Sequence, residues 1–161
     1  MKKVEIEIPD GKCAEWVNDV LTLVDDTPKD VRDRIKTLQD ACDELGDEHP
    51  LVTQYRLIAA AYKGDPMTKD FIAYLKLRII TAALNEGWEP QFTGGESRWY
   101  PWYNNRRDGL ECASANFAGS ISYSNYGMQL ALKTKELAEY AGKQFIDIYA
   151  DYCFKTLIRS N

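Results

Sequence analysis

A single histidine, His49, occurs in the 161 residues, and the four cysteines stand alone in sequence. Cys13, Cys42, Cys112 and Cys153 form no CxxC or CxxH pair, which excludes a local zinc knuckle or a thioredoxin-type motif. Long apolar runs are missing, so no membrane span is expected. The opening Met-Lys-Lys-Val-Glu-Ile-Glu-Ile alternates polar and apolar residues without the apolar segment of a signal peptide. The expected compartment is therefore cytoplasmic and reducing, with free thiols. Positive charge is also short. Lys and Arg number 20 against 25 Asp and Glu, a net charge of -5, which argues against a phosphate-backbone binder. Gly94-Gly95 lacks the spacing and the following helix start of a phosphate loop.

What is present is the composition of an ordinary globular chain, with 45% hydrophobic, 12% aromatic and 28% charged residues. One domain fits this length. Its charge is uneven. Residues 1–50 hold 7 Lys/Arg against 14 Asp/Glu, while the remainder holds 13 against 11. Solvated faces account for such a bias, and an acidic patch that docks a basic partner or mimics nucleic acid is the sharper alternative.

Val4 to Ile8 alternates with period two and reads as a strand, broken by Pro9-Asp10-Gly11. Ala14–Val17 and Val20–Val24 flank Asn18-Asp19, a two-residue link whose members tolerate positive φ, so a hairpin is expected. A helix through the same residues is the alternative. Thr27-Pro28-Lys29-Asp30 opens a helix, with Thr27 as cap and Pro28 at its first position. Val31, Ile35, Leu38, Cys42 and Leu45 follow at spacings of 4, 3, 4 and 3, one narrow face ended by Gly46. Pro50 opens a second helix, with Leu51, Tyr55, Ile58 and Tyr62 on its stripe, ended by Gly64. The two stripes are expected to pack on each other, with an intermolecular coiled coil as the competing arrangement. Thr68 caps a third, central helix through Phe71, Ile72, Leu75, Ile79, Ile80 and Ala83, ended by Gly87.

Beyond Gly87 the chemistry changes. Residues 88–126 hold 9 of the 19 aromatics, so short strands joined by turns are expected there. The expected strands are Arg98–Tyr103, Glu111–Phe117 and Gly127–Lys133, with turns at Asn104-Asn105 and Arg107-Asp108-Gly109. Thr134 caps a last long helix whose buried stripe is Leu137, Ala141, Phe145, Ile148 and Tyr152.

Candidate chemistry is sparse. His49 precedes a helix-starting proline and reads as a capping residue rather than a catalytic base. Asp25-Asp26, Asp43-Glu44 and Asp47-Glu48 are neighbours in sequence at element ends and read as solvated caps. No catalytic residue, no metal site and no cofactor is expected. The unusual segment is Trp99 to Arg107. Trp99, Tyr100, Trp102 and Tyr103, followed by Arg106 and Arg107, supply flat aromatic faces and cations for a ligand or partner. In a strand Trp99, Pro101 and Tyr103 face one way and Tyr100 and Trp102 the other, so one face should be core. A net charge of -1 over residues 88–126 disfavours a nucleic-acid groove.

Four stretches carry a resemblance. They are Pro-Asp-Gly-Lys with Ala14-Glu15-Trp16-Val17, then Leu84-Asn85-Glu86-Gly87-Trp88-Glu89-Pro90, then Trp99-Tyr100-Pro101-Trp102-Tyr103, then Leu130 to Phe145. Together the chain resembles an uncharacterised family of small proteins of Bacteroides-type bacteria, their prophages and phages. The resemblance implies a mobile-element setting and no activity.

The expected architecture is a single α+β domain. It comprises a β-hairpin region over residues 1–26, three helices over 27–87, and a small antiparallel sheet packed by a C-terminal helix over 88–161. The leading functional expectation is a non-enzymatic binding protein with a protein partner or small ligand on the aromatic sheet. The alternatives are a homo-oligomeric virion or assembly component using the Val31–Leu45 stripe, and a nucleotide-binding anti-defence protein or small-nucleotide enzyme using Arg98, Arg106 and Arg107.

Overall fold

Asn18 and Asp19 adopt φ of 50° and 62°. Positive φ at both positions is what a tight two-residue hairpin turn requires, and short polar side chains tolerate it. The turn joins β1 (Lys12–Val17) to β2 (Val20–Asp25) in an antiparallel register that runs from Lys12↔Asp25 to Val17↔Val20. The hairpin therefore prevails over the helical alternative. The computed structural model describes residues 7–26, 30–91, 96–106, 109–118 and 128–153. Most of the expected Val4–Ile8 strand lies outside these residues, and positions 7 and 8 are not in a strand.

The expected helix through Val31 and Leu45 is two helices, α1 (Val31–Arg34) and α2 (Leu38–Leu45). Thr37 causes the break. Its hydroxyl accepts from Asp40 N at 3.1 Å while the Asp40 carboxylate accepts from Thr37 N at 2.8 Å. This capping box starts a new helix where spacing alone suggested continuity. Asp30 caps α1 by accepting from Arg32 N at 2.9 Å. The expected caps at Thr27 and Pro28 lie outside the described residues. The five stripe residues still converge, with Val31, Ile35 and Cys42 buried and Leu38 and Leu45 packed beside them.

His49 Nδ1 accepts from Leu51 N at 3.2 Å and caps α3 (Pro50–Ala61), with Pro50 in its first turn. A short 3-10 turn, Pro66–Thr68, leads into α4 (Lys69–Asn85). Asp65 caps that turn, and Thr68 makes no side-chain capping bond. Leu75, Leu77, Ile79, Ile80, Ala83 and Leu84 of α4 are all buried. Because α4 is apolar around most of its circumference, α2 and α3 each take it as their main partner. The hairpin of two helices packed on one another, expected from their stripes, is thereby replaced. Phe71, expected in the core, lies on the exposed first turn of α4.

The second ribbon pairs β3 (Arg98–Arg106) with β4 (Gly109–Ala118), antiparallel. Asn104-Asn105, expected as a turn, lies inside β3. The expected third strand is absent from the described residues of that stretch. Met128–Leu130 is a 3-10 turn, and Leu132 makes only a single bridge to Trp99, with N···O distances of 3.0 and 2.9 Å. Asn85 explains the brevity of this pairing. Its amide donates to Ala131 O at 2.9 Å and accepts from Lys133 N at 3.0 Å, so groups on either side of Leu132 bond to helix α4 and not to a strand.

The C-terminal helix divides at Phe145 into α5 (Lys135–Gln144) and α6 (Ile146–Cys153). The described residues thus hold six α-helices where the sequence suggested three and a fourth. Thr134 caps α5, as expected, by accepting from Leu137 N at 3.2 Å. The division lets α5 lie on β3 and β4 while α6 packs on α4. It also turns the buried stripe. Tyr149 is buried, and Tyr152, expected in the core, is 37% exposed. Helix α5 in turn repairs the α1–α2 break. Tyr140 Oη donates to Ile35 O at 2.5 Å and Gln144 Nε2 to Lys36 O at 2.7 Å. Carbonyls released from a helix need such partners.

Candidate functional site

Strand β3 alternates as its sequence suggests. Pro101 and Tyr103 point at α5, where a Cβ added to Gly142 would lie 2.7 Å from Pro101 Cβ and 3.2 Å from Tyr103 Oη. Only a glycine lets the helix backbone approach so closely. Tyr103 Oη donates to Gly142 O at 3.2 Å. A bulge in β4 completes this face. Trp102 opposes Ser114 and Tyr103 opposes Cys112, so Ala113 is the extra residue. The bulge brings the buried Cys112 beneath Gly142, 2.5 Å from the Cβ that glycine lacks.

Trp99 and Tyr103, two of the expected site residues, are thus half-buried and packed on the core. Trp102 points the other way and is 55% exposed. Tyr100 is half-buried. Arg106 is the last paired residue of β3, opposite Gly109. Its side chain and the whole of Arg107 lie outside the described residues.

Tyr100 and Tyr103 meet two residues that were not expected at the site, Tyr149 and Tyr152. With Pro101, Leu130 and Cys153 they line an open cleft of about 200 Å³. The rings of Tyr103 and Tyr149 lie 5.4 Å apart, and Tyr152 stacks on Tyr74 of α4 at 5.8 Å. Tyr74 Oη donates to the Gln129 side chain. The cleft therefore draws on β3, α6 and the turn before α5, with Tyr74 of α4 stacked on its Tyr152 wall. Burial raises the pKa of all four cleft tyrosines above the ordinary phenol value, and their protonated hydroxyls are available as donors at neutral pH. Tyr149 Oη is buried and finds no hydrogen-bond partner among the described residues. Burial also raises the Cys153 thiol, which disfavours its thiolate form.

Comparison with protein-family models, curated proteins and solved structures finds no match.

The stretches behind the resemblance have structural work in the fold. Asn85 clamps the Ala131–Lys133 segment, and Glu86 bonds Lys133 Nζ at 2.7 Å and Arg34 of α1 at 2.8 Å. Arg34 also reaches Glu44 of α2 at 2.9 Å. This network ties four elements at one end of α4. Lys133 first, then Arg34, hold the Glu86 carboxyl below its ordinary range. The other carboxylate pairs serve the surface. Asp47 bridges to Arg56 at 2.7 Å and Asp43 accepts from Gln39 at 2.7 Å. Among the described residues no group of three or more His, Cys, Asp and Glu side chains converges, and no helix is long and apolar enough to cross a membrane.

Proposed function

We propose that this chain is a non-enzymatic binding protein of phage or prophage origin, acting in the bacterial cytoplasm. Its binding surface is the tyrosine cleft, extended by Trp102, which is exposed on the other side of the same strand. The carrying observation is the cleft itself, where four tyrosines from two elements surround an apolar floor of Pro101 and Leu130. Aromatic walls with hydroxyl donors suit a flat or pyrrolidine ring. At about 200 Å³ the cleft falls below the usual small-ligand pocket of roughly 300–1,000 Å³. That size favours one ring of a larger protein partner over a free small molecule. The mobile-element setting rests on the resemblance alone.

The assembly reading rested on the Val31–Leu45 stripe. Its residues pack within the chain, with α2 chiefly on α4, which favours the binding reading. Of the three arginines behind the nucleotide reading, Arg98 is buried.

The test is partner capture with Tyr100→Ala, Trp102→Ala and Tyr152→Ala chains from cells of a phage-carrying Bacteroides-type host. Loss of a partner by all three, with near-UV circular dichroism retained, supports the cleft. Undiminished capture by the triple variant removes it.

A further inference from the structure

Helix α4 carries Arg78, Thr81 and Asn85 at i, i+3 and i+7, which places them on one face. Beyond its end Glu86 takes a left-handed φ of 49° and Gly87 one of 83°, and Trp88 N donates to Asn85 O at 2.9 Å. That tight turn brings Trp88, Glu89 and Pro90 back beside the same helix face. With Leu51 of α3 and the segment before α5 they line an open pocket of about 320 Å³. This volume reaches the roughly 300–1,000 Å³ usual for small-ligand pockets, which the tyrosine cleft does not. The pocket and the cleft share no lining residue, and neither proposal needs the other.

Three polar groups of the pocket are left without partners. Arg78 is half-buried, with its guanidinium 5.9 Å from the ring centre of Tyr74, and it makes no ion pair or hydrogen bond among the described residues. Glu89 makes none either. Thr81 is 3% exposed, and its hydroxyl has no hydrogen-bond partner among the described residues. A hydroxyl buried in this way is unfavourable, and folded proteins retain few. The two opposite charges line one pocket without bridging to each other, which leaves room between them for a molecule that carries both signs. We propose that the pocket binds a free α-amino acid with an apolar side chain. Its carboxylate lies against the Arg78 guanidinium and offers the neighbouring Thr81 hydroxyl the acceptor it lacks. Its ammonium group takes the Glu89 carboxylate. Its side chain covers Leu51, Trp88 and Pro90, all half-buried. A simple anion would meet Glu89 unpaired, and a simple cation would meet Arg78 unpaired, so a zwitterion is the ligand that satisfies both.

The test is isothermal titration calorimetry of the full-length protein with L-phenylalanine and L-leucine, and with the N-acetyl and amide derivatives of each. At least one free amino acid is expected to bind saturably, and its two capped forms to bind at least about ten-fold more weakly. Arg78→Gln should erase the preference over the amide, and Glu89→Gln the preference over the N-acetyl form, each with near-UV circular dichroism retained. Thr81→Val keeps the shape of the side chain, removes its hydroxyl and should weaken binding of the free amino acid several-fold. Tyr152→Ala, in the tyrosine cleft, should leave all these values unchanged. Binding of neither free amino acid, capped forms that bind equally well, or preferences that survive the two charge substitutions overturn the proposal. So does free amino-acid binding that Thr81→Val leaves intact. Tighter binding of the N-acetyl form than of the free amino acid also overturns it, because the ligand would then be a simple anion.

Discussion

The described residues hold two antiparallel two-stranded ribbons with apolar side chains on both faces, and they differ in what lies against them. Ribbon β3–β4 presents Pro101, Tyr103, Cys112 and Ala115 to α5, which approaches through Gly142. Ribbon β1–β2 leaves Trp16, Leu21 and Leu23 exposed and packs closely on no other described element. Strand propensity and alternation are similar in both. The difference is that the second ribbon is followed by a helix carrying a small residue at the closest approach, whereas the first is followed by helices whose apolar faces are already taken by α4. A ribbon is stabilised by its covering layer more than by its own pairing.

Substitutions that empty or fill the covered face should have the largest effects. Tyr103→Ala removes a ring packed on Tyr149 together with its bond to Gly142 O, and should cost about 3 kcal/mol in denaturant unfolding. Trp16→Ala removes a larger ring from the bare ribbon and should change global stability by less than about 0.5 kcal/mol. If the two costs were alike, the ribbons would not differ as described.

Gly142→Ala sharpens the comparison from the helix side. Alanine for glycine within a helix normally gains about 1 kcal/mol. Here the new methyl meets Cys112 Sγ and Pro101, so a net loss of about 1–2 kcal/mol is expected, read as a lower thermal midpoint.

Glu86→Gln tests the network that holds the helical layer. The folded carboxyl titrates below its ordinary value of 4.5, so its contribution is present above that pH and is lost as pH falls through the folded value. The substitution should therefore cost roughly 1 kcal/mol at pH 7, and the two proteins should converge in stability as the pH falls below the ordinary carboxylate range. A pH-independent difference would show that the charge of Glu86 is irrelevant.

The smallest effect is local. Asp19→Gly relieves positive φ in the β1–β2 turn and should stabilise that hairpin by about 0.5–1 kcal/mol. Slower amide hydrogen exchange in β1 and β2 alone would register it.

Much of this comparison was legible in the residues. Asn18-Asp19 between two β-rich runs specified the first hairpin, because few links accept positive φ twice in succession. His49-Pro50 and Thr134 marked helix starts by the same local chemistry. The alternation of Trp99 to Tyr103, with its period of two, was enough to divide the aromatics between two faces. The tyrosine cleft was only half visible, since Tyr149 and Tyr152 come from a helix about fifty residues further on. The missed signal was that pair at i,i+3 on the last helix, which places two rings on one side.

Local sequence determined turns, caps and which residues are apolar, because those depend on a few neighbouring backbone groups and on the period of side chains. Tertiary structure decided where helices break, which stripe meets which, and which ribbon is covered. The break after Ile35 persists because Tyr140 and Gln144 of α5 take up the freed carbonyls. The turn of α6 that exposes Tyr152 persists because α5 must cover the β3–β4 ribbon while α6 packs on α4. Such choices depend on groups far apart in the chain competing for the same surface, and no local pattern of residues records the outcome of that competition.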